Sequence, residues 1–217
     1  MFVKQGGQYT VYLWGRRVRK VPHSPRRAQF IFRLRWANGQ NKEEIRKQAL
    51  ESVENGRRSA KAMEDLSKRY PEVYRYLCKP RFSRSGSYSQ QRVKTLEEVF
   101  ARQDHAANVR VLEAYAAALI QEWRYGFFET EFDLTENSGF DADGNLVLLD
   151  FGDIALDKTE VERIIREKRW LLDWSYTNSL PKDLRKPFAR IMADTLTLAN
   201  LKRHWGAALQ PSLSEQS

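Results

Sequence analysis

One cysteine, three histidines and, before Glu43, not a single acidic residue: these scarcities set the first limits on the 217-residue chain. A lone Cys78 excludes a disulfide framework within the chain and any cysteine-rich zinc site, and is expected to be a small buried hydrophobe. His23, His105 and His204 are scattered and supply no metal-ligand spacing. No apolar run approaches the ~18 residues of a membrane-spanning helix. The opening Met-Phe-Val-Lys-Gln-Gly-Gly lacks the apolar core of a signal peptide, so a reducing, cytoplasmic setting without a membrane span is expected.

What is present suffices for a core: 41% of residues are apolar and 12% aromatic. The formal charge of +9 is unevenly placed. Lys4, Arg16, Arg17, Arg19, Lys20, Arg26, Arg27, Arg33, Arg35 and Lys42 precede the first acid, whereas Phe128 to Asp157 holds nine carboxylates and no Lys or Arg. A basic front half and an acidic pocket suit a polyanion held with a cation. The same basic surface would also suit RNA, DNA or anionic lipid, a solvated basic face being the plain alternative.

Within the acidic stretch, Asn137 and Asp150 are joined by a polar turn (Asp141 to Asn145) and an apolar run (Leu146 to Leu149) that ends in Asp150-Phe151-Gly152. This spacing predicts a β-hairpin with an oxygen ligand at the end of each arm. Asp141-Ala-Asp-Gly-Asn145 is a turn and not a calcium loop, because such a loop needs Gly sixth and Glu twelfth, where this run has Gly144 fourth and Gly152 twelfth.

Residues 3 to 21 alternate as short antiparallel strands around Gly15-Arg16. Ser24 and Pro25 open a helix to Trp36 that Gly39 stops, with Phe30, Ile31 and Leu34 as its packed face. Trp14, Phe30, Phe32 and Trp36 are expected in the core. A longer helix runs from the N-cap Asn41 to about Arg69, with a break at Gly56. Tyr74 to Phe82 and Ser87 to Val93 read as two further strands, completing a sheet of about five. Asp104 to Trp123 is a periodic buried helix, and two helices follow Asp153, near Thr159 to Ser175 and Pro187 to Trp205.

Asn137, the hairpin and Asp150-Phe-Gly in this order resemble the metal-binding core of the protein-kinase-like fold, and Val18-Arg19-Lys20 resembles its V-A-I-K strand. The resemblance implies an α+β, two-lobed protein-kinase-like fold: an antiparallel-sheet N-lobe over residues 1–93, a reduced, mainly helical C-lobe with the metal hairpin over 94–210, and a disordered tail over 211–217. It implies ATP and Mg²⁺ as cofactors. Asn137 and Asp150 would hold the metal, Lys20 the α and β phosphates, and Asp133 would serve as catalytic acceptor of the substrate hydroxyl proton. Gly6 and Gly7 resemble a degenerate phosphate loop, a plain turn being the alternative. Gln91 and Val93 fall at the hinge that reads the adenine edge, an edge strand being the alternative. Glu51 and Glu54 are both candidates to pair with Lys20.

The chain departs from the family in one place: Asp133 lies four residues before Asn137, where the family has five, in a loop similar to the D-L-T-x-x-N of small atypical kinases with one residue fewer. The resemblance implies a phosphotransferase acting on a hydroxyl-bearing protein or small molecule. A pseudokinase that uses nucleotide as a switch or scaffold, with nucleic-acid contact through the basic N-terminal region, is the alternative.

Overall fold

The computed structural model describes residues 2–36 and 41–209 as an α+β chain of two compact units. Gly39 and the tail at 211–217 lie outside the described residues. The first unit takes in the chain up to Arg92 together with Asp150–Asp153; the second takes in Val93–Leu149 and the chain from Ile154.

In the first unit, β1 (Phe2–Gln5), β2 (Tyr9–Trp14) and β3 (Arg17–Pro22) form an antiparallel meander. Trp14 pairs with Arg17, so Gly15-Arg16 is a two-residue turn, and Gly15 takes the left-handed φ of +56° that such a turn requires. Helix α1 (Pro25–Trp36) starts where the Ser24 hydroxyl accepts the Arg27 N–H, and α2 (Lys42–Arg69) starts in a capping box between Asn41 and Glu44. Helix α3 (Pro71–Tyr76), β4 (Arg81–Phe82) and β5 (Tyr88–Gln91) follow, and the five strands lie in the order β1-β2-β3-β5-β4.

Four sequence expectations are corrected here. Tyr74 begins no strand, because Pro71 fits the first turn of a helix, and the left-handed Cys78 and Lys79 then turn the chain and leave only two residues for β4. Gly56 does not break α2, which is continuous and buries Ile45, Ala49, Val53, Gly56, Ala60 and Met63. Phe30 and Leu34 are exposed; α1 packs on α2 through Ala28 and Phe32 against Ala49 and Val53. Trp14 is exposed as well, since it sits beside the hairpin tip. Cys78 is buried, as expected. The side chain of Trp36 lies outside the described residues.

The second unit runs β6 (Lys94–Thr95), α4 (Leu96–Phe100), α5 (His105–Arg124), β7 (Phe128–Glu129), α6 (Leu134–Asn137), β8 (Ser138–Phe140), β9 (Leu146–Leu148) and β10 (Ile154–Ala155). Then come α7 (Lys158–Glu167), a 3-10 turn (Arg169–Leu171), α8 (Trp174–Asn178), α9 (Lys182–Thr195) and α10 (Leu198–His204). Two helices were expected after Asp153; the capping residues Asp157, Asp173 and Thr197 divide the segment more finely, and α9 begins ahead of Pro187. Helix α5 buries Leu112, Ala116, Leu119 and Trp123 at three- and four-residue spacing. Trp123, Phe128, Phe132 and Trp170 meet ring to ring in sequence, at centroid distances of 5.7, 5.8 and 6.2 Å. Among the described residues no helix is long and apolar enough to cross a membrane.

Candidate active site

Lys20 and Asp150 come together inside the first unit. Lys20 is central in β3, opposite Tyr88 of β5, and its side chain is 7% exposed. Its Nζ lies 2.8 Å from Asp150 Oδ2 and 5.8 Å from the centre of the Tyr88 ring. A buried ammonium needs a counter-charge, and Asp150, 31% exposed, supplies it while keeping one edge toward solvent. The other carboxylate oxygen, Oδ1, accepts the Gly152 N–H at 3.2 Å. Below this pair, Phe151 stacks on Tyr88 and packs against Phe82, and Tyr9 meets Tyr88 edge-on. The Tyr88 hydroxyl is buried without a hydrogen-bond partner among the described residues; burial first, then the Asp150 charge, pushes its pKa far up.

The turn between β1 and β2 is tied to the same segment. Gln8 Nε2 donates to Asp153 Oδ2 at 2.7 Å. His23 fixes the turn from behind: its backbone N–H donates to the Gln8 carbonyl, and its ring Nε2 lies 3.1 Å from the Gly6 carbonyl oxygen. Gly56 and Gly152 both make room for Gln8, since a Cβ on either would run into Gln8 Oε1. This explains a glycine inside α2.

In the second unit, Asp133 and Asn137 stand at the two ends of one helical turn. Asn137 N–H donates to the Asp133 carbonyl at 2.7 Å, which closes α6 as a single turn. The Leu149 N–H donates to the Asn137 carbonyl at 2.7 Å, tying the end of the apolar run to that turn. Strands β8 and β9 pair as the expected hairpin, with Ser138 opposite Leu148. Asp141 Oδ1 accepts the Asp143 and Asn145 N–H groups, so this run is a turn. Half-buried Asp133 accepts the Thr135 hydroxyl, and its pKa is raised, chiefly by burial, with the Glu136 and Asp173 charges adding to it. From α8, the Ser175 hydroxyl donates to the Phe132 carbonyl at 2.6 Å and steadies the residue before Asp133.

No protein-family model and no curated protein matches the chain. The residues alone carry its functional reading.

Of the residues singled out in the sequence, Gly6, Gly7, Lys20 and Asp150 belong to the first unit, and Asp133 and Asn137 to the second. Gln91 ends β5 with its N–H on the Cys78 carbonyl and its own carbonyl accepting the Cys78 thiol, so its backbone is engaged within the sheet. Val93 opens the second unit. Glu51 and Glu54 are both exposed, Glu51 lying 3.9 Å from Lys47, whereas Lys20 is buried and meets Asp150. Gln8, His23 and Tyr88 escaped sequence reasoning. Only the Gly6-Gly7 step before Gln8 hinted at a special turn.

Proposed function

We propose that the protein is an ATP- and Mg²⁺-dependent phosphotransferase of the protein-kinase-like type, acting on a hydroxyl acceptor. The observation that carries this reading is the 2.8 Å ion pair between Lys20 and Asp150, two residues assigned to phosphate and metal from separate motifs far apart in sequence. Their assigned roles require adjacency.

Asp150 of the first unit and Asn137 of the second each carry a hard oxygen of the kind Mg²⁺ accepts, and Mg²⁺ binds through one or two such groups with phosphates and water completing its shell. Among the described residues no three His, Cys, Asp or Glu side chains gather for a metal, so a site of this kind depends on the nucleotide's own oxygens. Bound Mg²⁺ would neutralise charge on the transferring phosphoryl group.

Lys20, paired with Asp150 here, would hold the α and β phosphates, and Asp150 would be a metal ligand. Gly6 and Gly7, in the turn that His23 holds through the Gly6 and Gln8 carbonyls, would cover the phosphates. Asp133 would accept the proton of the acceptor hydroxyl, a role its raised pKa suits. Transfer is thus positioning and charge neutralisation more than covalent chemistry by the protein.

The test is a melting curve with ATP and Mg²⁺, followed by incubation with γ-labelled ATP and hydroxyl acceptors. A rise in melting temperature that Asp150→Ala abolishes, and label transfer that Asp133→Asn abolishes, are expected. Nucleotide binding without transfer to any acceptor would establish the pseudokinase alternative. No thermal shift at millimolar nucleotide with any divalent ion would overturn both.

A further inference from the structure

We propose that the outer face of α1 is an anionic-membrane docking surface, independent of the nucleotide reading. The helix has two unlike sides. Ala28, Ile31 and Phe32 turn inward, and Ala28 and Phe32 pack on Ala49 and Val53 of α2. At roughly 100° per residue, Arg33, Arg26, Phe30, Leu34 and Arg27 follow one another across an arc of about 120° on the opposite side. All five are exposed, Phe30 by 61% and Leu34 by 70%. Two apolar side chains therefore stand between arginines on both flanks.

Charge complementarity identifies the occupant as an anionic surface. No acid occurs in α1 or anywhere before Glu43, and Arg26, Arg27 and Arg33 form no salt bridge among the described residues. The apolar pair narrows it further. An aliphatic Leu34 beside Phe30 is a poor platform for nucleobases, which stack on aromatic faces, but both side chains can enter the boundary between headgroups and acyl chains while flanking arginines meet lipid phosphates. Opposing a helix face that is already packed on α2, this arc lies free to rest in the plane of a membrane. The class of ligand is phosphatidylserine-like anionic lipid, and binding is peripheral.

The whole chain is sedimented with vesicles of phosphatidylcholine alone and of equal parts phosphatidylcholine and phosphatidylserine. Binding to the anionic vesicles only, weakening as salt rises, is expected. Phe30→Ser/Leu34→Ser should cut binding at least tenfold with no change in net charge or melting temperature, and Arg26→Gln/Arg33→Gln should do the same. Leu172→Ser, which removes an equally exposed apolar side chain in the second unit (76% exposed), should leave binding unchanged. The proposal falls if anionic vesicles do not bind, if the Phe30/Leu34 variant binds as tightly as the parent, or if Leu172→Ser weakens binding equally. It also falls if single-stranded RNA is retained through the same arginines while vesicle binding ignores Phe30 and Leu34.

Discussion

Phe151 lies nearly flat on Tyr88, with ring centroids 4.4 Å and planes 25° apart. The residue after Asp150 is thereby locked to the strand that faces Lys20, so a core contact fixes where the carboxylate stands. Phe151→Ala should destabilise the protein by about 3–5 kcal/mol in denaturant unfolding, the range for emptying a buried aromatic site. Phe151→Leu, which keeps most of the volume, should cost about half of that or less. Equal costs would mean that the ring is not seated as described.

Glycine inside a helix normally costs about 1 kcal/mol relative to alanine. At Gly56 that gain should be offset, because a Cβ would stand 2.9 Å from Gln8 Oε1, which must shift, and 3.2 Å from Tyr9 Oη. Gly152→Ala should lower the melting temperature, and Gly56→Ala should raise it by less than helix propensity alone would give. In a Gln8→Ala background the Gly152→Ala penalty should shrink and Gly56→Ala should gain. Additive effects in the double mutants would dissociate Gln8 from the two glycines.

Asp133 has a raised pKa because folding buries it. A carboxyl whose folded pKa lies above the unfolded value is favoured while protonated, and that stability is lost as pH rises through the folded pKa. Asp133→Asn should therefore be more stable than the parent at neutral pH. The gain should vanish on acidification below the ordinary carboxylate range, where both side chains are neutral. On the proposed function, transfer activity should show the complementary acid limb, rising as Asp133 ionises. A stability difference independent of pH would overturn this assignment.

Lys20→Met removes a buried cation and leaves the Asp150 carboxylate facing an apolar side chain. Since Asp150 keeps about a third of its exposure, the expected loss is about 1–3 kcal/mol, below that for a fully buried pair. Asp150→Asn in the Lys20→Met background should restore part of it. Urea unfolding of the four proteins checks this.

Much of the chain could be read from periodicity and caps alone. Asn41 with Glu44, the α5 stripe, the Gly15-Arg16 turn and the hairpin from Ser138 to Leu148 are local features, and each formed because nearby residues suffice to specify it. Lys20 and Asp150 were legible as residues of interest, but their contact was not, since a 2.8 Å ion pair between distant positions exists only once β3, β5 and the Asp150–Asp153 segment pack. The same dependence holds for α1, where sequence supplies apolar residues on two sides and only α2 decides that Ala28 and Phe32 face inward while Phe30 and Leu34 do not. It also hid Gln8, whose importance lies in two glycines remote in sequence that clear space for it. Caps, turns and stripes depend on neighbours along the chain; ion pairs, clearances and the choice of buried face depend on neighbours in space, which tertiary packing alone supplies.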